Sequence, residues 1–214
     1  MATTIWDQIY QKYQKGGEAW ASLAEGIHPL FKRFLRQSAF KPPLCVLDIG
    51  CGTGKYLKLL QAGGFKTDGI DSSKTAVTMA QKSLGKIALI TVADMFKFKI
   101  PKDKYNLIIS IAAIHHGTKK QVQNLINNIY EVLVDKGKIF ITLPDWESSN
   151  KWETFKNYKK VAEGTFAPLQ GPERGLLHSF YKKEEIQKMF AQFANLQMGL
   201  DSHGRWIIQA SKLS

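Results

Sequence analysis

Val46-Leu47-Asp48-Ile49-Gly50-Cys51-Gly52-Thr53-Gly54 joins a short apolar run to a helical pattern. Glycines in such a turn let a ligand approach the backbone, and the helix N-terminus that follows favours negative charge. Three ligand classes use turns of this kind, and spacing separates them. A phosphate loop needs GxxxxGK followed by Ser or Thr. Here Gly50 to Gly54 is one residue short, and Tyr56 follows Lys55. A dinucleotide fingerprint needs GxGxxG, but position 55 is Lys. What stands here is GxGxG preceded by an acid, Asp48.

Two more acids follow at strand ends. Asp71 lies about twenty residues beyond the turn, where a carboxylate can accept from both hydroxyls of a ribose. Asp94 is followed by Met95 and Phe96. A carboxylate there can accept from an exocyclic adenine amine while apolar neighbours sandwich the ring. Acids at three successive strand ends face one crevice. They suit a ligand with hydroxyls, an amine and a positive centre, and they repel a pyrophosphate. The competing reading makes Asp71 and Asp94 simple helix caps.

These residues need elements to hold them. Trp6, Ile9, Tyr10 and Tyr13 recur at helical spacing, and Gly16-Gly17 ends that helix. A second helical stretch carries Trp20, Leu23, Ala24 and Ile27 and continues past Pro29 through Phe34, until Lys41-Pro42-Pro43. Strand and helix then alternate. Leu44–Ile49, Phe65–Asp71, Ile87–Ala93, Leu107–Ile114 and Ile139–Leu143 read as strands, with Lys136-Gly137-Lys138 a turn before the last. Ser72 or Ser73 can cap the helix after Asp71. Val122, Leu125, Ile126, Ile129 and Leu133 form a helical stripe. This alternation implies βαβ units and a parallel sheet. Residues 145–176 are irregular, aromatic and polar, and a loop this long in a compact domain is usually functional or poorly ordered. A helix bearing Ile186, Met189, Phe190 and Phe193 follows, then strands near Ala194–Leu200 and Arg205–Ala210 joined as an antiparallel hairpin. The fold class expected is α/β: a Rossmann-like, doubly wound, seven-stranded sheet, mostly parallel with a final antiparallel strand and an N-terminal helical extension. The 214 residues are expected to form one domain, divided at 1–43 (helices, a possible lid), 44–144 (ligand-binding core), 145–181 (insertion) and 182–214 (helix and hairpin).

Composition narrows the class. At 44% hydrophobic residues and 11% aromatic, the chain can bury a core. No apolar run approaches the ~18 residues of a membrane span. The start, Met1-Ala2-Thr3-Thr4-Ile5-Trp6-Asp7, has neither a basic stretch nor an apolar one, so no leader is expected. Two cysteines, Cys45 and Cys51, exclude a disulfide framework and stand in no zinc pattern. A cytoplasmic protein with reduced thiols and no resident metal is expected. The net charge of +12 invites acidic partners such as tRNA, although lysines spread along the whole chain also read as a solvated surface.

Asp48-Ile49-Gly50-Cys51-Gly52-Thr53-Gly54, Asp71 and Ala93-Asp94-Met95 together resemble the cofactor motifs of class I S-adenosylmethionine-dependent methyltransferases, in the broad type 11-like branch. The resemblance covers residues 44–144 best. It implies that Asp48, Gly50, Gly52 and Gly54 carry the methionine part of S-adenosylmethionine. Asp71 and Ser72 would hold the ribose, and Asp94 and Met95 the adenine. The backbone at Ile111 and Ala112 would hold the methionyl amino group.

Methyl transfer from a sulfonium is an in-line displacement, driven largely by alignment. A general base is needed only for an acceptor that arrives protonated. Candidate catalytic residues are His115, beside His116 after the fourth strand, and His178, near Tyr181. Trp146, Trp152, Phe155, Tyr158 and Phe166 are candidates for an apolar acceptor wall. Trp6, Tyr10, Tyr13 and Trp20 are candidates for packing and for a lid. Neither Asn-Pro-Pro-Tyr nor Asp-Pro-Pro-Tyr occurs, which argues against amino-methylation of adenine or glutamine.

Two narrower resemblances compete for the acceptor. Ser110-Ile111-Ala112-Ala113-Ile114-His115-His116, with Gly54-Lys55-Tyr56-Leu57 and His178-Ser179-Phe180, is similar to the tRNA wobble-uridine methyltransferases. Gly175, Leu176 and Leu177 stand where that family has an arginine and paired tyrosines. The small-molecule branch shares the paired histidines and the Trp/Tyr-bearing first helix, and it requires fewer specific matches. A small-molecule acceptor is therefore favoured over tRNA. A non-catalytic cofactor-binding partner subunit is the alternative from another class.

Overall fold

The computed structural model describes residues 4–17, 26–85, 88–149 and 157–213. Its centre is a seven-stranded sheet built from β1 (Cys45–Ile49), β2 (Lys66–Asp71), β3 (Leu89–Val92), β4 (Tyr105–Ser110), β5 (Leu133–Pro144), β9 (Ala194–Leu200) and β10 (Arg205–Ser211). The spatial order is β3-β2-β1-β4-β5-β10-β9. β1 pairs in parallel with both β2 and β4, so the winding direction reverses between β1 and β4. Open α/β sheets bind ligands at such a reversal, beyond the carboxyl ends of the strands. β10 runs antiparallel to both β5 and β9, which supplies the expected antiparallel strand.

Period-two alternation sorts the strand residues into two layers. Val46, Leu107, Ile109 and Phe140 face Phe31 and Phe34 of α2 (Pro29–Gln37) and Tyr56 and Leu60 of α3 (Lys55–Ala62). Leu47, Ile49, Ile108, Ile139 and Ile141 face Val122, Leu125, Ile126 and Ile129 of α5 (Lys119–Val132). Central strands buried on both faces need apolar residues at successive positions, and Leu107, Ile108 and Ile109 are all fully buried. The stripe on α5 is therefore the face it buries. Thr118 starts that helix with a capping box closed by Gln121.

α1 (Ile5–Gln14) begins at Thr4, whose side chain accepts from the Asp7 amide. α4 (Lys74–Leu84) begins at Ser73, whose hydroxyl caps Ala76, which decides between the two candidate serines.

Several expected boundaries shift. The second helical stretch does not run through Pro29. α2 starts there, capped by the His28 ring on the Leu30 amide, because Pro favours a first helical position and lacks the amide an interior needs. Trp20, Leu23 and Ala24 lie outside the described residues. β4 stops at Ser110 rather than Ile114. Ala112 takes a left-handed φ of 55° and turns the chain out of the sheet. β5 is longer than expected and extends back through Lys136, whose φ of 59° marks an irregularity where a turn was expected. β3 runs Leu89–Val92, with Ile87 outside the described residues.

The largest correction concerns 145–176. A short helix, α6 (Trp146–Ser149), precedes a second sheet of β6 (Tyr158–Ala162), β7 (Thr165–Pro168) and β8 (His178–Ser179). β6 and β7 form an antiparallel hairpin turned at Glu163-Gly164, with Gly164 at φ 62°. α7 (Lys183–Met189) then buries Ile186 and Met189 against the main core.

Candidate functional site

The crevice forms where the chain leaves β1. Gly50, Gly52 and Gly54 all take left-handed φ, at 76°, 54° and 79°, which side chains rarely tolerate. The amides of Gly50 and Cys51 donate to the Ile70 carbonyl at 2.8 and 3.0 Å. Asp71 completes the turn: the Gly52 amide donates to its Oδ2 at 2.9 Å and the Ser73 amide to its Oδ1 at 2.9 Å. A carboxylate offers about four lone-pair positions, so Asp71 retains acceptor capacity toward the cavity it lines.

That cavity has a volume of about 340 Å³, in the range of small-molecule sites. Asp48, Gly50, Gly52, Asp71, Ser72 and Asp94 line it, as do Met95, Ile111 and Ala112. Gly54 does not. It caps α3, and a Cβ there would lie 2.8 Å from Leu84 Cδ1 and 3.2 Å from Ala80 Cβ. Its glycine serves the packing of α3 on α4.

Two buried acids lie on neighbouring strands, Asp48 opposite Gly69 and Asp71 two residues farther along β2. Burial, and then the charge of Asp71, push the Asp48 carboxyl up to about 8, with Lys55 pulling in the other direction. Burial raises Asp71 as well, against the amides of Ser73, Gly52 and Ser72 that favour its charged form. Asp94 differs: half-exposed, it accepts from the Phe96 amide at 2.9 Å and lies 3.5 Å from Lys97. Each of Asp71 and Asp94 thus makes the local cap-like bond of the competing reading while also facing the cavity.

α1 closes one side. Trp6 and Tyr10 line the cavity, and a Cβ on Gly52 would stand 2.5 Å from the Tyr10 hydroxyl. Asp7 anchors this helix. Its Oδ1 accepts from Ser73 Oγ and from the Thr75 amide, both at 2.8 Å, and its Oδ2 from Gln11 at 2.9 Å. Burial opposes ionisation of Asp7, but these bonds outweigh it and hold the carboxyl below the ordinary value. Asp7 therefore caps α4 from another helix. Spacing along the chain carries no sign of that partnership.

The loop after β4 forms the far wall. Ser110 Oγ donates to the Ile49 carbonyl at 2.8 Å, and the Ala112 amide donates to Thr142 Oγ1 at 2.8 Å. His116 lines the cavity together with Leu176 and Leu177, while His115 sits behind it and is not part of the lining. Desolvation holds both imidazoles well below the ordinary histidine value. His178 and Arg205 add to this at His115, and His115 and His178 at His116. His178 comes from the second sheet. The Ser179 amide donates to the His115 carbonyl at 2.9 Å, and Ser179 Oγ donates to the Gly117 carbonyl at 2.6 Å. These bonds bring the His178 ring to 4.7 Å from His116 and 5.8 Å from His115 between centroids.

The other acceptor-side candidates divide. Tyr181 is wholly buried in the main core and away from the cavity. Trp146 and Phe166 pack on each other at 5.6 Å, and Tyr158 packs on His178 at 6.0 Å. They pack around the second sheet and do not line the cavity; of the described residues in this part of the chain, Leu176 and Leu177 do. Trp152 and Phe155 lie outside the described residues. Arg205 and Gln121 line the cavity and were missed as candidates. The Cys51 thiol is buried, which pushes it well above its ordinary value and makes it a poor nucleophile.

A family model described as "Methyltransferase domain" matches residues 18–198. The chain belongs to the methyltransferase-domain family. Among its relatives, "Probable tRNA methyltransferase 9B" of Bos taurus is 31% identical over 144 residues, 67% of this chain and 30% of that protein. A protein of Geobacillus thermodenitrificans named "Uncharacterized methyltransferase" is 28% identical over 135 residues, 63% of each chain. The chain thus spans less than two thirds of the length of both relatives. The crystal structure of an S-adenosylmethionine-dependent methyltransferase from Methanosarcina mazei superposes with a TM-score of 0.68. It covers 88% of this chain and 99% of that one at 17% identity, so the two share a fold. Among the described residues of this methyltransferase, no helix is long and apolar enough to cross a membrane.

Proposed function

We propose that the crevice binds S-adenosylmethionine and that the enzyme transfers its methyl group to a small-molecule acceptor. One observation carries the cofactor reading: Asp48 and Asp71, both buried, converge on a turn of three left-handed glycines. The charge of Asp71 disfavours ionisation of Asp48, and burial disfavours it at both. A ligand bearing positive charge relieves that repulsion, whereas a pyrophosphate would add to it. The donor set fits. Asp71 accepts ribose hydroxyls, Asp94 and the Met95 backbone meet the adenine, and Gly50 and Gly52 admit the methionine part against bare backbone. The backbone at Ile111 and Ala112, which line the cavity, would hold the methionyl ammonium.

When bound, S-adenosylmethionine supplies an electrophilic methyl whose leaving group is a neutral thioether. The chain's task is alignment and exclusion of water. Trp6 and Tyr10 cover the cofactor side, and Leu176, Leu177 and His116 border the acceptor side. This apolar mouth favours a small acceptor. The 31% identity to a protein named as a probable tRNA methyltransferase and the net charge of +12 favour tRNA as the second reading.

Transfer of labelled methyl into a cell extract tests the choice. Label in the small-molecule fraction is expected. Label in RNase-sensitive polymer would overturn the acceptor and promote tRNA, and no label in either would overturn the catalytic reading.

A further inference from the structure

We infer that His115, His116 and His178 form a binding site for a divalent transition-metal ion, of which Zn²⁺ is the best match. One ligand atom from each of the three residues lies within 4.8 Å of the others. Two elements far apart in sequence build the cluster. His115 and His116 follow β4, and His178 opens β8, which the Ser179 amide ties to the His115 carbonyl. Ring nitrogens about 3.3 Å apart would suit a tetrahedral ion with bonds of ~2.0–2.1 Å. Binding would therefore have to draw the three rings closer together than they stand.

Two ring nitrogens of the cluster, the buried His115 Nδ1 and His178 Nε2, make no hydrogen bond among the described residues. A buried polar atom left unpaired is costly, and two in one cluster point to a shared ligand. Glu173 Oε2 approaches His178 Nε2 at 3.2 Å, close enough for an ion pair but not aligned for a hydrogen bond. It lies outside the three-atom set and adds negative charge beside it. His116 Nδ1 stands 3.2 Å from the Leu177 carbonyl. That contact fits a donated proton at Nδ1, which leaves Nε2 with the lone pair, the usual outer-shell support of a ligating imidazole. Arg205 is the opposing charge nearby, and Asp201 pairs with it at 2.8 Å.

Imidazole donors without thiolate favour Zn²⁺ over Mg²⁺ or Ca²⁺. Three histidines leave a fourth position for water or an incoming group. His116 also lines the cavity, so that position would stand at its acceptor end.

The test uses the full chain stripped of metal and titrated with Co²⁺ and then Zn²⁺. The wild type is expected to bind about one equivalent of Co²⁺ with a visible d–d spectrum that Zn²⁺ abolishes. His178→Ala and His115→Ala are each expected to lose the spectrum while S-adenosylhomocysteine still binds. The control His203→Ala, at an exposed position outside the cluster, should keep it. Absence of a spectrum and of retained Zn²⁺ in the wild type would overturn the site even if both variants failed to fold. A spectrum undiminished in both histidine variants would overturn it too. Because S-adenosylhomocysteine binding is read separately, the metal site can fail without the cofactor site failing.

Discussion

Asp48 and Asp71 do most to decide the chemistry, because each is an acid held where its charge is costly. Asp48, raised to about 8, keeps a proton in the ligand-free fold that the unfolded chain releases above about pH 4. Its contribution to stability therefore falls as pH rises from about 4 to about 8. A cationic ligand binds the ionised form, so binding releases that proton. S-adenosylmethionine, which carries the sulfonium charge, is expected to bind more tightly as pH rises between 6 and 8, by at most about tenfold per pH unit. Calorimetry in buffers of different ionisation enthalpy reads the released proton directly. Asp48→Asn should flatten the profile, and an unchanged slope in that variant would remove Asp48 from the site. At Gly52 the argument is steric. Its φ of 54° disfavours any side chain, and a Cβ added there would meet the Tyr10 hydroxyl at 2.5 Å. Gly52→Val is expected to weaken binding more than tenfold, about 1.4 kcal/mol or more, in equilibrium dialysis. Unchanged affinity would mean the turn does not touch the ligand.

At the scale of elements, α1 and α4 are joined through Asp7. Asp7→Ala removes a cap on α4 and the anchor of α1 together and is expected to cost about 1–2 kcal/mol in urea unfolding. It should also weaken S-adenosylhomocysteine binding, because Trp6 and Tyr10 ride on α1. Since the folded carboxyl is held below its ordinary value, this stabilisation is present above that value and lost as pH falls through the lower one. Equal stability and affinity in Asp7→Ala would separate α1 from the site. Such links mark the limit of what could be read along the chain. The glycine turn, Asp71 and the α5 stripe were legible because left-handed glycines and a 3.6-residue period are local signals. The pairing of Asp7 with Ser73 and Thr75 spans more than sixty residues and leaves no local trace. The β6–β7 hairpin did carry one in Glu163-Gly164. β6 is largely exposed, however, with Lys159 and Lys160 on the surface, and β7 is buried but only four residues long, so neither strand shows an apolar alternation that would reveal it.

For the whole molecule, the seven-stranded sheet brings three strand ends and the loop after β4 around one cavity, and the second sheet adds His178 behind it. Element order and the doubly wound topology followed from the alternation of apolar runs and helical stripes. The acceptor end did not, because it is assembled by β8 docking on the loop after β4 rather than by any contiguous motif. Binding at the strand ends couples to the stability of the sheet. A ligand at about 100 times its Kd adds about 2.7 kcal/mol, so S-adenosylhomocysteine is expected to raise the melting temperature of the wild type. NADH should not do so. The most direct measurement is calorimetric titration of S-adenosylhomocysteine into the wild type and Asp71→Ala, with NADH as the competing ligand. Binding to the wild type, at least tenfold weaker in Asp71→Ala, with none for NADH, is the predicted result. Tight NADH binding without S-adenosylhomocysteine binding, or an Asp71→Ala affinity equal to that of the wild type, would contradict the cofactor site.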